Sequence, residues 1–181
     1  MLVGRAIGGV LAAVLCAAAF AATATAAPSQ QATAGITRVS SLETDVLAQL
    51  NAVRRQYGLV PLKLSTTLSR AANEHSVQMG ADGYFAHEDV SGAAFWKRIE
   101  KVYPSAGRKY WAVGENLLWS SPDVDGPGAL KLWMASTEHR KNILTAKWRE
   151  IGISAVHVLA APGTFNGLDV TIVTTDFGVR K

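Results

Sequence analysis

Apolar residues recur at helical spacing in the first half of the chain and form strand-like runs in the last third. The first stripe follows the spacing i, i+4, i+8, i+11 and consists of Leu42, Val46, Leu50 and Val53. This spacing predicts a helix with one buried face. Ser40 with Glu43 has the pattern of a capping box at its start, and Gly58 is a typical helix-ending glycine.

The same criteria predict the later elements. Further helices are predicted over residues 65–79, 92–102 and 128–135, with a helical turn at 140–144. Strands are predicted over residues 111–120, 150–159 and 167–178. Helices that come mainly first, with a short antiparallel sheet last, indicate an α+β fold in which the helices pack on the sheet.

The N-terminal residues have the pattern of a secretory signal peptide. Residues 1–26 combine Arg5, an apolar run and an A-x-A sequence ending at Ala26. The run is short and alanine-rich for a membrane span, so we expect cleavage and no stable span afterwards, with a retained anchor as the alternative. Residues 27–40 are predicted to be a flexible linker, and residues 41–181 one folded domain.

Composition narrows the function classes. The single cysteine, Cys16, lies in the predicted leader, so the secreted chain would have no disulfide and no thiol nucleophile. The net charge is +4 and no run of Lys or Arg exceeds two, which does not indicate nucleic-acid binding. We expect a secreted, extracellular monomer, with association with the cell wall as a further option.

Three residues are candidates for a site. His87 lies in a predicted loop, and loops on a rigid scaffold often carry function. Glu115 is a carboxylate within an apolar strand, where it needs partners such as histidines or a metal ion. His139 follows near a predicted helix start. A purely structural hydrogen-bond network would explain Glu115 equally well, and His75 and His157 are predicted to be structural.

Catalytic motifs are mostly absent. The HEDVS sequence at His87 lacks the second histidine of a zincin helix, and there is no G-x-S-x-G elbow or phosphate-binding loop. The sequence leaves open whether the protein is an enzyme.

Six segments, in order along the chain, resemble the CAP superfamily (cysteine-rich secretory proteins, antigen 5, pathogenesis-related 1), especially its short, cysteine-free bacterial branch. The segments are LNAVRRQYGLVPLKLSTTLSRAANEHSVQM, FAH at 85–87, GENL at 114–117, WMASTEHRKNIL at 133–144, IGI at 151–153 and DFG at 176–178.

The resemblance implies a three-layer α-β-α sandwich with a cleft lined by two histidines and acidic residues. His87, Glu115 and His139 match the cleft residues of the family. Ser136 stands where animal and plant members have a further cleft glutamate, and Glu138 is close by in the sequence. A divalent metal, usually zinc, is implied at His87 and His139, with Glu115 as an additional ligand.

Two functions follow as hypotheses. The first is a secreted protein that binds a cell-envelope component or a small apolar ligand, lipid included. The alternative is a metal-dependent extracellular hydrolase that uses His87, His139 and Glu115. The first is favoured because the set of cleft residues typical of the family is incomplete.

Overall fold

A computed structural model describes residues 35–181. The predicted leader and residues 27–34 of the predicted linker lie outside this range. The helices of the described part are α1 Ser40–Gln56, α2 Thr66–Asp82, α3 Phe95–Val102, α4 Gly126–Ala135 and α5 Thr137–Ile143. The strands are β1 Ile36–Arg38, β2 Lys63–Leu64, β3 Trp111–Ser120, β4 Glu150–Ala161 and β5 Leu168–Arg180, with a 3-10 helix, Gly163–Phe165, before β5.

The strands form one sheet with the order β1-β4-β5-β3, in which these neighbours are antiparallel. The short strand β2 adds a parallel pairing with β4. Strand β3 lies at the edge of the sheet, and its register with β5 places Glu115 directly opposite Asp176. This architecture confirms the α+β prediction.

Helices cover both faces of the sheet. Helices α1, α4 and α5 lie on one face, where the stripe Leu42, Val46 and Leu50 packs with Trp133 of α4. Helices α2 and α3 lie on the other face. The three-layer α-β-α sandwich is therefore confirmed. No helix within residues 35–181 is both long and apolar enough to cross a bilayer.

The start of α1 corrects two predictions. Val39 is the N-cap and no side chain caps the helix, so the predicted capping box does not form. The carboxylate of Glu43 instead binds Arg38 at 2.7 and 2.8 Å and accepts a hydrogen bond from the backbone of Ala155. Residues 36–38 pair with β4 as strand β1, so the predicted flexible linker does not extend to residue 40.

The other boundaries differ by a few residues. Helix α3 begins at Phe95, because Gly92 adopts a turn with φ of 77°. Helix α4 begins earlier, at Gly126, because the Asp125 side chain accepts a hydrogen bond from the Gly128 amide and caps the helix. Both C-terminal strands extend two residues beyond their predicted ends.

Candidate functional site

A cavity of about 490 Å³ lies beside the edge strand β3, where the two helical layers meet. It contains all three residues that the sequence singled out. Its lining residues are His87, Glu88, Phe95, Gly114, Glu115, Asn116, Glu138, His139, Lys141, Asn142 and Thr145. Side chains alternate along a strand, so Glu115 faces the layer of α2 and α3, whereas Asn116 faces the layer of α5.

Glu115 anchors the first histidine. Its side chain is fully buried, and Oε1 lies 2.7 Å from Nδ1 of His87, whose own side chain is 45% exposed. This hydrogen bond raises the pKa of His87, against the opposing effect of burial. The bond also orients the imidazole, because Nδ1 points inward and the other ring nitrogen, Nε2, is left on the remote edge of the ring.

Two buried residues that were not predicted as site residues lie beside the Glu115 carboxylate. The guanidinium of Arg98 binds Oε2 of Glu115, and the same nitrogen lies 3.9 Å from Oδ1 of Asp176. Asp176 is fully buried, and neither of its carboxylate oxygens has a hydrogen-bond partner among the described residues. Burial, with the nearby charge of Glu115, raises the pKa of Asp176 well above its ordinary value.

The sequence carried a partial signal for both residues. Asp176 is a carboxylate within a predicted strand, as Glu115 is, and Arg98 lies on the buried side of α3 next to Ile99. Their meeting depends on the β3–β5 register and on the packing of α3, which no local pattern specifies.

His139 is positioned through its backbone. Its backbone carbonyl accepts a hydrogen bond of 3.2 Å from the side-chain amide of Asn116. Asn142 donates to the Glu115 carbonyl at 3.1 Å, and its own carbonyl accepts from the Trp148 indole at 3.0 Å. A Cβ at Gly114 would lie 2.7 Å from Asn142, so this network requires glycine there. Burial and the neighbouring charge of His87 lower the pKa of His139.

His75 supports the loop that carries His87. It is fully buried on α2, and its Nε2 donates a hydrogen bond of 2.9 Å to the carbonyl of Ala86. Burial lowers its pKa. The structural role predicted for His75 agrees with this geometry, and its bond fixes the residue that immediately precedes His87.

The remaining candidates divide between the cavity and its surroundings. Glu138 lines the cavity, whereas Ser136 is the residue between α4 and α5 and is not one of the lining residues. His157 lies 3.2 Å from Thr171 on strand β5 and outside the cavity.

The cavity offers fewer metal-binding side chains than a zinc site normally has. Structural and catalytic zinc sites use three or four protein ligands. Residues 35–181 contain no group of three or more His, Cys, Asp or Glu side chains arranged to hold a metal. Both oxygens of Glu115 are already bonded, and Glu88 and Glu138 at the cavity lining are exposed. His87 and His139 therefore remain as the two histidine ligands that the cavity offers. This arrangement does not fit a three-ligand zinc centre.

The fold and the site define a CAP domain, and comparison with known proteins agrees. The family model of the cysteine-rich secretory protein family, CAP, matches residues 47–161. The chain belongs to this family. It is similar to the uncharacterized protein YkwD of Bacillus subtilis, with 34% identity over 136 residues, which is 75% of this chain and 50% of YkwD. It is also 28% identical over 111 residues to the uncharacterized membrane protein YlbC of the same organism.

The chain thus spans half of YkwD and 30% of YlbC. Two solved structures show the same fold. An extracellular protein with an SCP domain from Bacillus anthracis superposes with a TM-score of 0.59 at 23% identity, covering 78% of this chain and 41% of that one. An outer surface protein of Borrelia burgdorferi has a TM-score of 0.60 at 19% identity, covering 81% of this chain and 99% of that one.

Proposed function

We propose that this CAP domain is an extracellular binding protein whose cavity takes a small ligand with an apolar body and a polar head. The observation that carries the proposal is the position of Phe95, the one large apolar side chain among the polar residues that line the cavity. The ring of Phe95 lies 6.1 Å from the ring of His87, so that an apolar surface stands beside hydrogen-bonding groups. Small-molecule sites combine apolar surface with convergent polar groups, and here Phe95 supplies the apolar surface.

The state of Glu115 also favours binding over catalysis. A general base needs a free oxygen within reach of the substrate, and both oxygens of Glu115 are occupied by His87 and Arg98. Within residues 35–181, no separate carboxylate lies in the buried part of the cavity, since Glu88 and Glu138 are exposed. We therefore derive no hydrolytic step from this geometry.

The experiment is calorimetric titration with octanoate and octanol as probes, one with a charged head and one with a neutral head. The variant Phe95→Ala removes the apolar side chain of the lining and should weaken binding at least about tenfold, because burial of such a ring contributes roughly 1.5 to 3 kcal/mol. The control is Trp96→Ala, since Trp96 is the adjacent residue and is 41% exposed outside the cavity. Equal effects of the two variants, or no binding by the folded protein, would contradict the proposal.

A divalent metal is a second candidate ligand. It is favoured by the bond between His87 and Glu115, because metal-binding histidines commonly donate their second ring nitrogen to a carboxylate. His87 and His139 would hold the ion, and other donors would have to come from water or from the bound molecule. A bound cation would supply charge for an anionic head group.

Zinc titration of residues 27–181 tests this second candidate. Micromolar or tighter binding that is lost in the double variant His87→Ala/His139→Ala would support a metal site in the cavity. The variant His157→Ala is the control, because it removes a histidine outside the cavity. A folded protein that shows no heat of binding would rule out the metal.

A further inference from the structure

Charge is distributed unevenly along α1. Exposed carboxylates of Asp45, Asp123 and Asp125 surround a pocket near the start of the helix. At its other end, residues 54–63 and 140–149 together carry seven Lys or Arg side chains and no acidic residue. Ten residues of helix, about 15 Å, separate Asp45 from Arg55. The domain is therefore electrically polarised although its net charge is small.

The two basic segments are adjacent in space. The buried guanidinium of Arg54 donates to the carbonyls of Val60, Ile143 and Thr145, which ties the end of α1 to the end of α5. The backbone amide of Lys63 donates to the carbonyl of Arg149 at 2.9 Å. One continuous region of the molecule therefore carries the exposed cations Arg55, Lys63, Arg140, Lys147 and Arg149, called here the basic end.

Exposed apolar side chains are interspersed with these cations. Tyr57 is 50% exposed, Val60 52% and Leu64 57%, and all three lie in or beside the segment from Arg55 to Lys63. Arg140 donates a hydrogen bond of 3.2 Å to the Tyr57 hydroxyl, which joins this apolar group to α5. Basic residues mixed with exposed Tyr and aliphatic side chains are typical of surfaces that lie on anionic lipid bilayers.

We propose that the basic end docks the domain on an anionic phospholipid bilayer. The cations attract the lipid head groups, while Tyr57, Val60 and Leu64 enter the interface. A soluble polyanion would use the cations and gain nothing from the apolar side chains, so the bilayer is the occupant that accounts for both features. This proposal does not depend on what the cavity binds.

Docking in this orientation has a consequence for the cavity. Lys141 and Thr145 line the cavity, and they lie in the sequence between Arg140 and Lys147 of the basic end. The segment that contacts the bilayer therefore also forms a wall of the cavity. The bilayer would be the reservoir from which an apolar ligand enters.

The test is co-sedimentation of residues 27–181, which contain every described helix and strand, with vesicles of phosphatidylcholine and phosphatidylglycerol. The triple variant Arg55→Gln/Lys63→Gln/Lys147→Gln should bind at least about tenfold more weakly, because each cation near an anionic membrane contributes on the order of 1 kcal/mol. Binding should also fall as salt is added.

A matched control replaces the same residue types in the layer of α2 and α3, on the opposite face of the sheet. The variant Arg70→Gln/Lys97→Gln/Lys101→Gln also removes one arginine and two exposed lysines, one of which lies over a tryptophan. It should bind the vesicles as the unmodified protein does. Equal losses in the two variants would show that only net charge matters and would overturn the proposal.

The variant Val60→Ser/Leu64→Ser keeps the charge and removes the apolar part of the surface. It should lose vesicle binding about tenfold and keep its binding to dextran sulfate, a soluble polyanion. If vesicle binding is unchanged, the basic end is a site for polyanions and the bilayer proposal is wrong. Octanoate titration of the same variants separates the two proposals, since cavity binding should persist when docking is lost.

Discussion

The two histidines of the cavity are held in opposite ways. His87 comes from the layer of α2 and α3 and is fixed through its ring, which is bonded to a buried carboxylate. His139 comes from α5 and is fixed through its carbonyl. The pKa of His87 is raised by its bond to Glu115, whereas burial lowers the pKa of His139.

This difference arises because the two faces of the edge strand β3 hold the two histidines with different kinds of contact. On one side, the Glu115 side chain forms a buried ion pair with Arg98, and Asp176 lies beside that pair. On the other side, Asn116 and Asn142 form a neutral network with the backbone. Burying charges is costly unless they are paired, so we expect the His87 side of the cavity to be the more sensitive to substitution.

The largest effect is expected for Arg98→Leu. This change leaves the buried carboxylate of Glu115 without its guanidinium partner, which should lower the free energy of unfolding by about 3 to 5 kcal/mol. Denaturant unfolding measures it. The control is Lys97→Leu, because Lys97 is adjacent to Arg98 and exposed. It should change stability by no more than about 0.5 kcal/mol. A loss below about 1 kcal/mol for Arg98→Leu would show that the Glu115 carboxylate does not depend on this partner.

A smaller effect is expected for His75→Ala, which acts on His87 indirectly. The carbonyl of Ala86 loses its hydrogen bond from His75, at a cost of roughly 1 to 3 kcal/mol. Amide hydrogen exchange should increase in residues 84–88 and stay unchanged in α5. His75→Gln, which keeps a side-chain donor, should restore part of the protection. Equal exchange in the two helical layers would contradict a local role for His75.

The sequence alone predicts only part of this structure. The helix stripe of Leu42, Val46 and Leu50 and the three long strands were predictable, because periodicity is a local property. The capping box was wrong because Glu43 finds a stronger partner in Arg38, which β1 brings beside it. Ser136 matched the family position of a cleft glutamate, yet it is not one of the residues that line the cavity.

The partners of the Glu115 carboxylate were predictable only in part. A carboxylate in an apolar strand had to have partners, and His87 is one of them. Arg98 and Asp176 were missed as site residues because their contact depends on packing between α3 and β5. Arg54 was missed for a different reason. It continues the four-residue spacing of Leu42, Val46 and Leu50 and is buried with them, but a charged side chain at that position was not counted as part of the buried stripe.

The pH dependence of stability should separate the two histidines. The folded pKa of His87 is raised, so its contribution to stability is complete below about pH 6.5 and is lost as the pH rises through the folded pKa. The folded pKa of His139 is lowered, so stability is lost as the pH falls below about 6.5 towards that pKa. Unfolding curves recorded across this range measure both effects.

Two variants assign these contributions. His87→Gln should remove the extra stability at acidic pH, and His139→Gln should remove the loss. Glu115→Gln should bring the two pKa values closer together, because it removes the charge that raises the pKa of His87. Proton NMR titration of the imidazole signals follows each pKa. Unchanged values in Glu115→Gln would mean that the bond to Glu115 is not what distinguishes the histidines.

The smallest effect is expected for Glu138→Gln, which acts on His139. Glu138 is exposed and opposes the lowering of the His139 pKa, but this influence ranks behind burial and the charge of His87. The pKa of His139 should therefore fall slightly, and that of His87 should not change. Added salt should remove the difference, since exposed charges are screened. A large fall would show that Glu138 bonds to His139 and takes the place of the cleft glutamate that Ser136 replaces.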